Sequence, residues 1–388
     1  MKSTDASSHR ATHWSLLFGN FVIGVGVLMP AGLLNDLSQA FAKDAATIGK
    51  LIGYGAAVLC IEAPLLAFFT NRVDRRVLLT AALAVYSIGH LVSAFAPNFH
   101  MLLIARLIMI GGAAAFTPQA ASAISTLVAA DRRPTAVAFV FLGWPLASAV
   151  GVPLASLMGA FASWSTAYLI MGIASGLAAL AVFYTLPAKL YAPRLSVAAW
   201  RNVLSSRKIL AMLFVTAIFI AGQFAVYPYI AAELKANFNS TPTAISLLFA
   251  VYGLAGVVGS VVSTRFIGRF GAAQTVSIHL ALVLTGLALW AISGSVLSVA
   301  AMGLIAWGYG GGPAISGQQA RLIVADIEAG SASVALNTSV LYLGQASGAY
   351  IGGLLLSNQL MQWNGYVAVA LLIIAVSVSV VVQRWLQA

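Results

Sequence analysis

Long apolar runs separated by short polar connections dominate this chain. The runs number twelve, each of about 20 to 25 residues, with approximate limits at 14–35, 47–69, 77–96, 99–128, 135–159, 165–186, 209–232, 243–264, 274–293, 297–322, 332–356 and 363–384. An α-helix needs about 20 residues to cross the hydrocarbon core of a bilayer, whereas membrane β-strands are shorter and alternate in polarity. The pattern therefore predicts an all-α integral membrane protein with twelve transmembrane helices.

The composition excludes a water-soluble fold. Of the 388 residues, 61% are hydrophobic and 7% are charged, and the mean hydropathy is +0.96. Because a soluble domain carries about 25% charged residues, a soluble enzyme, a nucleic-acid-binding domain and a disordered chain are excluded. The net charge of +11 comes from short basic clusters between the apolar runs rather than from one basic face. We therefore expect membrane lipid, and no nucleic acid, around the chain.

The distribution of lysine and arginine predicts the orientation in the membrane. If the N-terminus is cytoplasmic, sixteen of the 20 basic residues fall in cytoplasmic segments, and three, Lys43, Lys50 and Lys235, fall outside. Cytoplasmic loops carry the excess of Lys and Arg in membrane proteins. We therefore predict a multi-pass protein with both termini in the cytoplasm.

The longest connection, residues 187–208, divides the chain into two halves of six segments, 1–186 and 209–388. Short matches recur between the halves: Arg75 corresponds to Arg269, and Gly151 corresponds to Gly352. Repeats of this kind build transporters from two bundles that rock around a site near the bilayer midplane. The sequence thus predicts two pseudo-symmetric six-helix bundles joined by a cytoplasmic linker.

Four stretches identify a family. They are the loop Thr70–Arg76, the intramembrane Arg106 with Gly111 and Gly112 after it, the run Gly143–Pro153 with its two prolines, and the first-segment stretch Met29–Asp36 with Asn20 before it and Gln39 after it. In these motifs, and over essentially its whole length, the chain resembles the major facilitator superfamily. Within that family it is most similar to the twelve-span drug:proton antiporters and to the bacterial sugar-efflux permeases of the arabinose efflux type. The resemblance implies the major facilitator fold and the bacterial inner membrane.

The resemblance also implies a gate. In the family, charges in the loop after the second helix clamp neighbouring helix ends, but here Asn71 occupies the position of the acid and Asp74 that of a glycine. The loop is therefore either a gating charge relay or a positive-inside anchor. The residues predicted for gating are Asn71, Arg72, Asp74, Arg75 and Arg76 of the loop, together with Gly151 and Pro153 of the fifth segment. The matching run of the eleventh segment lacks proline, and this asymmetry favours export over uptake.

Glu62, Asp36 and Arg106 are the candidates for proton coupling. Glu62 is the carboxylate predicted to lie deepest in the membrane, where a neutral carboxyl costs less than a charged one. Asp36 is the second candidate, with a solvated charge at a helix end as its alternative role. Arg106 needs a wet cavity, a carboxylate or backbone carbonyls, and it either pairs with one of these acids or ties helix ends together. At 1.5 Å rise per residue its depth is closer to Asp36 than to Glu62.

The substrate site is expected near the middle of the inward-facing helices. Polar and aromatic residues predicted at that depth are Asn20, Trp144, Gln223, Tyr227, Phe249, Tyr252, Trp307, Tyr309, Asn337 and Gln345. A cavity of aromatic rings and amides suits neutral or amphiphilic solutes, whether drug-like or sugar-like. His90 and His279 are expected at the membrane interface, near the ends of their segments.

These observations predict a secondary active transporter that exports a small solute against an inward flow of protons by alternating access. A proton-coupled uptake permease is the main alternative, and a non-transporting receptor or intramembrane enzyme is a remoter one. The sequence contains no P-loop motif and no metal-binding pattern of histidines or cysteines, so we expect no cofactor, no metal and no enzymatic activity. The expected partners are a small-molecule substrate, protons and lipid, and the expected state is a monomer.

Overall fold

The computed structural model describes residues 3–70, 72–129, 132–191, 197–325 and 330–387, and these contain helices and no strands. In chain order the first part contains α1 (Ser3–Gly32), α2 (Leu34–Phe41), α3 (Ala45–Phe69), α4 (Arg75–Ala94), α5 (Phe99–Leu127), α6 (Arg133–Phe141), α7 (Gly143–Leu146), a π-helical turn (Ala147–Gly151), α8 (Val152–Phe161) and α9 (Trp164–Thr185). There follow α10 (Val197–Ser205), α11 (Arg207–Val226), a 3₁₀ turn (Tyr227–Tyr229), α12 (Ile230–Phe238), α13 (Pro242–Ile292), α14 (Leu297–Ala325), α15 (Gly330–Ser357), a 3₁₀ turn (Met361–Trp363) and α16 (Asn364–Gln387).

Every predicted apolar segment is helical, although helices and segments do not correspond one to one. Within the described residues, eleven helical stretches are long and apolar enough to cross a membrane. The remaining segment is α14, which has 29 residues but includes the glycine run 310–312 and Pro313. Segments eight and nine follow each other without a loop in α13. Its backbone leaves the helical conformation at Gly271, where φ is 77°. Glycine adopts this positive φ without steric cost.

Polar side chains determine where several of the helices begin. At each of five helix starts a side-chain oxygen accepts a hydrogen bond from the backbone N–H three residues later, which satisfies one of the free donors of the first turn. The capping residues are Asp44, Asn98, Ser163, Ser206 and Thr241. Short polar connections therefore end one apolar helix and start the next.

The helices pack into two groups that follow the chain. In the first, α4 lies against α5 and α9, α1 against α9, and α3 against α5. In the second, α13 packs on α14 and α16, while α11 packs on α15 and α16. Between the groups, α3 packs on α15, and α13 packs on the π-helical turn and α8.

Hydrogen bonds link the two groups at one end of the molecule, the end where α1 and α11 finish and α3 and α13 begin. There the Asn35 side-chain amide donates to the carbonyl oxygen of Ala231 at 3.0 Å, and the Ser246 hydroxyl donates to that of Pro153 at 2.9 Å. We call this region the joined end. Deeper in the molecule, the backbone of α13 at Gly253 lies directly on the backbone of Ala149.

The close approach at Gly253 generates a prediction. A Cβ at this position would collide with backbone atoms of Ala149 and Ser148, and backbone cannot move aside as a flexible side chain can. We expect Gly253→Ala to lower the free energy of unfolding by about 1–3 kcal/mol, measured by denaturant unfolding in detergent. Gly256→Ala is the control, because its Cβ would lie 3.4 Å from the Gly308 carbonyl oxygen and would fit within the second group. Equal losses in the two variants would contradict the assignment.

Candidate functional site

Arg106 is buried within the first group, with 1% of its surface exposed. Its guanidinium donates to three backbone carbonyls: Gly26 at 2.9 Å and Val27 at 2.8 Å, both on α1, and Leu51 on α3. The Gly26 carbonyl is free because the residue four positions later, Pro30, has no N–H to donate to it. A proline in one helix thus creates an acceptor for an arginine in another, and the buried charge is solvated by peptide dipoles.

The three residues predicted for proton coupling lie apart. None of the hydrogen bonds of Arg106 goes to a carboxylate. Glu62 is half-buried on α3 beside Gly111 of α5, and its Oε2 atom has no hydrogen-bond partner among the described residues. Asp36 lies on the short helix α2, against Gly159. In this conformation the candidates are two separate carboxyl groups and one arginine bound to carbonyls.

Asp36 belongs to the joined end. Burial raises the pKa of its carboxyl, while a backbone hydrogen bond and the positive charge of Lys235 offset part of this effect. Lys235 is exposed on α12 in the second half of the chain, so the attraction acts between the two groups of helices. The carboxyl of Asp36 therefore responds to how closely the two groups approach each other.

Half of the residues predicted for the substrate site form one cluster, which we call the aromatic cluster. It consists of Gln223, Tyr227, Phe249, Tyr252 and Trp307, contributed by α11, the 3₁₀ turn, α13 and α14. The Tyr227 ring lies 5.5 Å from that of Tyr252, 6.1 Å from that of Phe249 and 6.3 Å from that of Trp307. The Trp307 indole N–H donates to the Gln223 side-chain oxygen at 2.7 Å.

The aromatic cluster reaches the boundary between the two groups of helices. The hydroxyl of Tyr227 interacts with that of Ser148 in the π-helical turn, yet neither has a well-formed hydrogen bond to another described residue. Buried hydroxyl groups are nearly always hydrogen-bonded. The pair therefore offers a donor and an acceptor to a solute or water at the boundary.

The other residues predicted for the substrate site lie elsewhere. Asn20 and Asn337, each 0% exposed, accept hydrogen bonds from Thr117 and Thr216 within their own groups, at 2.9 and 2.7 Å. The remaining three are Trp144, half-buried against Gly24 of α1, Tyr309, whose ring stacks on that of His279, and Gln345, buried in α15. Asn20 thus connects helices in the interior of the first group, and Asn337 does so in the second.

Residues predicted for gating hold the ends of α3, α4 and α9 together. The Asp74 carboxylate accepts hydrogen bonds from the backbone N–H groups of Arg76 at 2.9 Å and Lys189 at 2.6 Å. The Arg75 guanidinium donates to the Thr70 carbonyl at 2.9 Å, and the Arg76 guanidinium lies 4.2 Å from the ring centre of Phe183. Arg72 is exposed, and Asn71 lies outside the described residues. Asp74 thus supplies the carboxylate that ties this loop to the segment after α9.

Gly151 and Pro153 shape the fifth span. Because Pro153 has no N–H, the regular helical ladder shifts, and the Val152 N–H bonds to the carbonyl five residues back, that of Ala147. The π-helical turn that results places Gly151 against the side chain of Val25 on α1, where a Cβ would collide. The Pro153 carbonyl accepts from Ser246 across the boundary. Gly151 therefore lies on a contact within the first group, and Pro153 on a contact between the two groups.

The sequence analysis missed Glu233, which lies one residue beyond the predicted limit of the seventh segment. It is 4% exposed and accepts hydrogen bonds from the Trp290 indole at 2.8 Å and the Asn364 amide at 3.1 Å. The continuous helical span Arg207–Phe238 places it inside the membrane segment. The apolar residues on its N-terminal side were the available signal. His90 and His279, expected near the ends of their segments, are both 0% exposed and therefore buried against neighbouring helices.

Two six-helix groups that meet along a partly polar boundary define a class of membrane transporter that moves small-molecule substrates. Comparison with known families specifies it: the model described as Major Facilitator Superfamily matches residues 16–228 and 212–386. The chain belongs to the major facilitator superfamily, as its motifs predicted. It is therefore a multi-pass membrane protein.

Named relatives are similar over most of their length. The inner membrane transport protein YdhP of Escherichia coli K12 is 25% identical over 343 residues, 88% of each chain. A probable sugar efflux transporter of Helicobacter pylori HPAG1 is 25% identical over 356 residues, covering 92% of this chain and 90% of the relative.

Two solved structures share the fold. The human organic anion transporter MFSD10 aligns with a TM-score of 0.72 and 16% identity over 97% of this chain and 99% of its own. A bacterial homologue of the human lysosomal transporter Spinster, in an inward-facing and occupied conformation, aligns with a TM-score of 0.74 and 18% identity over 99% of this chain and 98% of its own.

The three backbone carbonyls that bind Arg106 generate a prediction. Arg106→Met removes the donors and leaves the three carbonyls without a partner, so we expect the free energy of unfolding to fall by about 1–3 kcal/mol. Arg72→Met, at an exposed position, should change it by less than about 0.5 kcal/mol. Chemical denaturation of both variants in the same detergent measures the difference. If Arg106→Met is as stable as the wild type, the three hydrogen bonds of Arg106 do not contribute to the free energy of unfolding.

The hydrogen bonds of Glu233 generate a further prediction about stability. Glu233→Gln replaces one acceptor by an amide NH₂ group, so one of the two donors loses its partner, at an expected cost of about 1–3 kcal/mol. Trp290→Phe removes the indole N–H that donates to Glu233, so the introduced amide no longer leaves that donor without a partner. The double variant Glu233→Gln/Trp290→Phe should therefore cost less than the sum of the two single changes, measured as a thermodynamic cycle. Strict additivity would show that the carboxylate and the indole are not coupled.

Proposed function

We propose that this protein exports a small neutral or amphiphilic solute, drug-like or sugar-like, in exchange for protons. The observation that carries the proposal is the aromatic cluster, which combines ring faces, one amide and the Tyr227 hydroxyl at the boundary between the two groups. Stacking on rings plus a few hydrogen bonds suits such solutes. The cluster has no charged side chain that could pair with an ionised group of a solute. The sugar-efflux name of the Helicobacter pylori relatives supports the same substrate class and direction.

The conformation fits alternating access. Residues 1–186 and 209–388 are proposed as the two moving bundles, with residues 187–208 as the cytoplasmic linker. With both termini in the cytoplasm of a bacterium, the joined end would face outward, and its contacts would close the outer side. Separation of Asp36 from Lys235 and of Asn35 from Ala231 would open the outer side. The loop contacts of Asp74 and Arg75 would rearrange at the inner side, and the transporter would act as a monomer.

Glu62 is the proposed proton carrier. Its Oε2 atom has no described partner, while the side chain is half-buried between α3 and α5. A carboxyl in this setting can bind a proton without first breaking an ion pair. Asp36 is the second candidate, because its environment changes with the approach of the two groups. Arg106 contributes as the fixed point that joins α5 to α1 and α3.

Transport in inside-out membrane vesicles tests the function. Candidate solutes are first selected by thermal stabilisation of the purified protein. If the protein is a proton-coupled exporter, an acidic vesicle interior drives accumulation of the labelled solute, and a protonophore abolishes it. Accumulation driven by an acidic exterior would instead identify an uptake permease. No gradient dependence with any stabilising solute would reject proton coupling.

Glu62→Gln generates the matching prediction. We expect gradient-driven accumulation to fall at least about tenfold, while exchange of labelled for unlabelled solute without a gradient is retained, because glutamine keeps the size and loses the proton site. Asp36→Asn, measured in parallel, distinguishes the two carboxyl groups. Full coupling in Glu62→Gln would exclude Glu62, and loss in Asp36→Asn alone would transfer the role to Asp36.

A further inference from the structure

His90 on α4 is a fully buried histidine with one nitrogen unused. Its Nδ1 atom lies 2.9 Å from the Tyr86 carbonyl oxygen, which can only accept, so Nδ1 carries the proton of the neutral ring. The lone pair then lies on Nε2, and this atom has no hydrogen-bond partner among the described residues. Nε2 faces Gly26 of α1 so closely that a Cβ there would lie 2.5 Å from it.

Among the residues that the structure describes, the charged side chain that acts on His90 is that of Arg106. From its own helix Tyr86 lies with its ring 4.5 Å away, and from α9 Tyr168 lies with its ring 5.8 Å away. From α5 the guanidinium of Arg106 binds the carbonyl of Gly26, the residue that Nε2 faces. The sequence of α1 has no titratable side chain between His13 and Asp36. A proton on Nε2 would therefore lie near a second positive charge, with no acceptor from a described residue at hydrogen-bond distance.

The packing of α4 on α1 thus accommodates the neutral ring. A buried charge without a partner is strongly destabilising, so a protonated His90 requires α4 and α1 to separate at Gly26, which lets water reach Nε2. Pro30 of α1 and the two α1 carbonyls that bind Arg106 lie within about one helical turn of each other. Movement at this turn would therefore expose the histidine and loosen the arginine together.

We propose that His90 is a proton-linked residue of the transport cycle, whose Nε2 lone pair binds a proton when α1 and α4 separate and releases it when the packing seen here re-forms. This inference rests on the proposed proton-coupled function and adds a site distinct from Glu62 and Asp36. Arg106 promotes release by its charge. Acidification then favours the conformation opposite to the one described here.

His279 provides a matched control in the second half. It too is 0% exposed, with Nδ1 2.7 Å from the Thr275 carbonyl oxygen and Nε2 without a described partner. Its neighbours are the rings of Phe266 at 5.5 Å and Tyr309 at 6.1 Å, rather than a guanidinium. The comparison therefore separates burial of a histidine from its placement beside Arg106 and the α1 turn that precedes Pro30.

Distance measurement between the two groups tests the proposal without substrate or gradient. Cys60 is replaced by alanine, and spin labels are attached at Ala162→Cys and Ser295→Cys, which are exposed near the joined end. Two distances between the labels are expected, a short one for the conformation described here and a long one for the opposite conformation. Between about pH 8 and pH 5, where histidine changes charge, the ratio of their populations should change in favour of the longer distance. A group that is protonated in only one conformation changes this ratio up to about tenfold per pH unit.

In His90→Gln, and in His90→Phe should the glutamine variant fail to fold, the pH-dependent change should be lost, while His279→Gln retains it. Thermal unfolding confirms that the variants are folded. A full pH response in both His90 variants, or an equal loss in His279→Gln, would overturn the inference. A His90-dependent response in a protein whose transport ignores the proton gradient would reject the proposed function alone. A response that disappears in Glu62→Gln and persists in His90→Gln would assign the proton to Glu62 and reject His90.

Discussion

The structure depends on how one buried positive charge is solvated without water. Inside a membrane protein every polar group needs a partner within the protein, and Arg106 finds its partners in the carbonyls of α1 and α3. Two of those carbonyls lie within one turn before Pro30, where the helical ladder is interrupted. The arginine therefore fixes the position of α5 against α1 and α3.

The second half joins the equivalent helices with different chemistry. There α14, the fourth apolar segment of its half, connects to α11, the first, through the indole of Trp307 and the amide of Gln223. The first half thus carries a charge at this position, and the second half carries a neutral aromatic cluster. This asymmetry suits a transporter in which one bundle responds to protons and the other contacts an uncharged solute, as we propose.

Polar groups with and without partners divide the interior into two kinds of site. Asn20, Asn337 and Glu233 each accept at least one hydrogen bond from a neighbouring helix and so hold helices together. The Oε2 atom of Glu62 and the Nε2 atoms of His90 and His279 lack described partners, which costs free energy in a buried site. We connect Glu62 with the transport cycle because it is a carboxyl, and His90 because it faces Gly26, whose carbonyl binds Arg106, whereas His279 faces aromatic rings.

Local patterns were sufficient for the architecture. Hydropathy depends on each residue's own side chain, so the apolar runs, the helical class and the family could all be predicted from the sequence alone. The five members of the aromatic cluster were also among the predicted residues, since aromatic and amide side chains are conspicuous within apolar helices. The connection between the eighth and ninth segments was harder to predict, because one residue in a non-helical conformation, Gly271, is enough to turn the chain from one span into the next.

The partners of the buried polar groups were decided by the tertiary structure. Sequence spacing gives the depth of a residue in the membrane but not the direction in which its side chain points, and that direction depends on the rotation of each helix against its neighbours. Arg106 could therefore be predicted to need a partner, while the choice of carbonyls over Asp36 or Glu62 followed from the packing of α5 against α1 and α3. The burial of Glu233 and His90 has the same origin, because the packing of neighbouring helices, and not hydropathy, closes the protein around them.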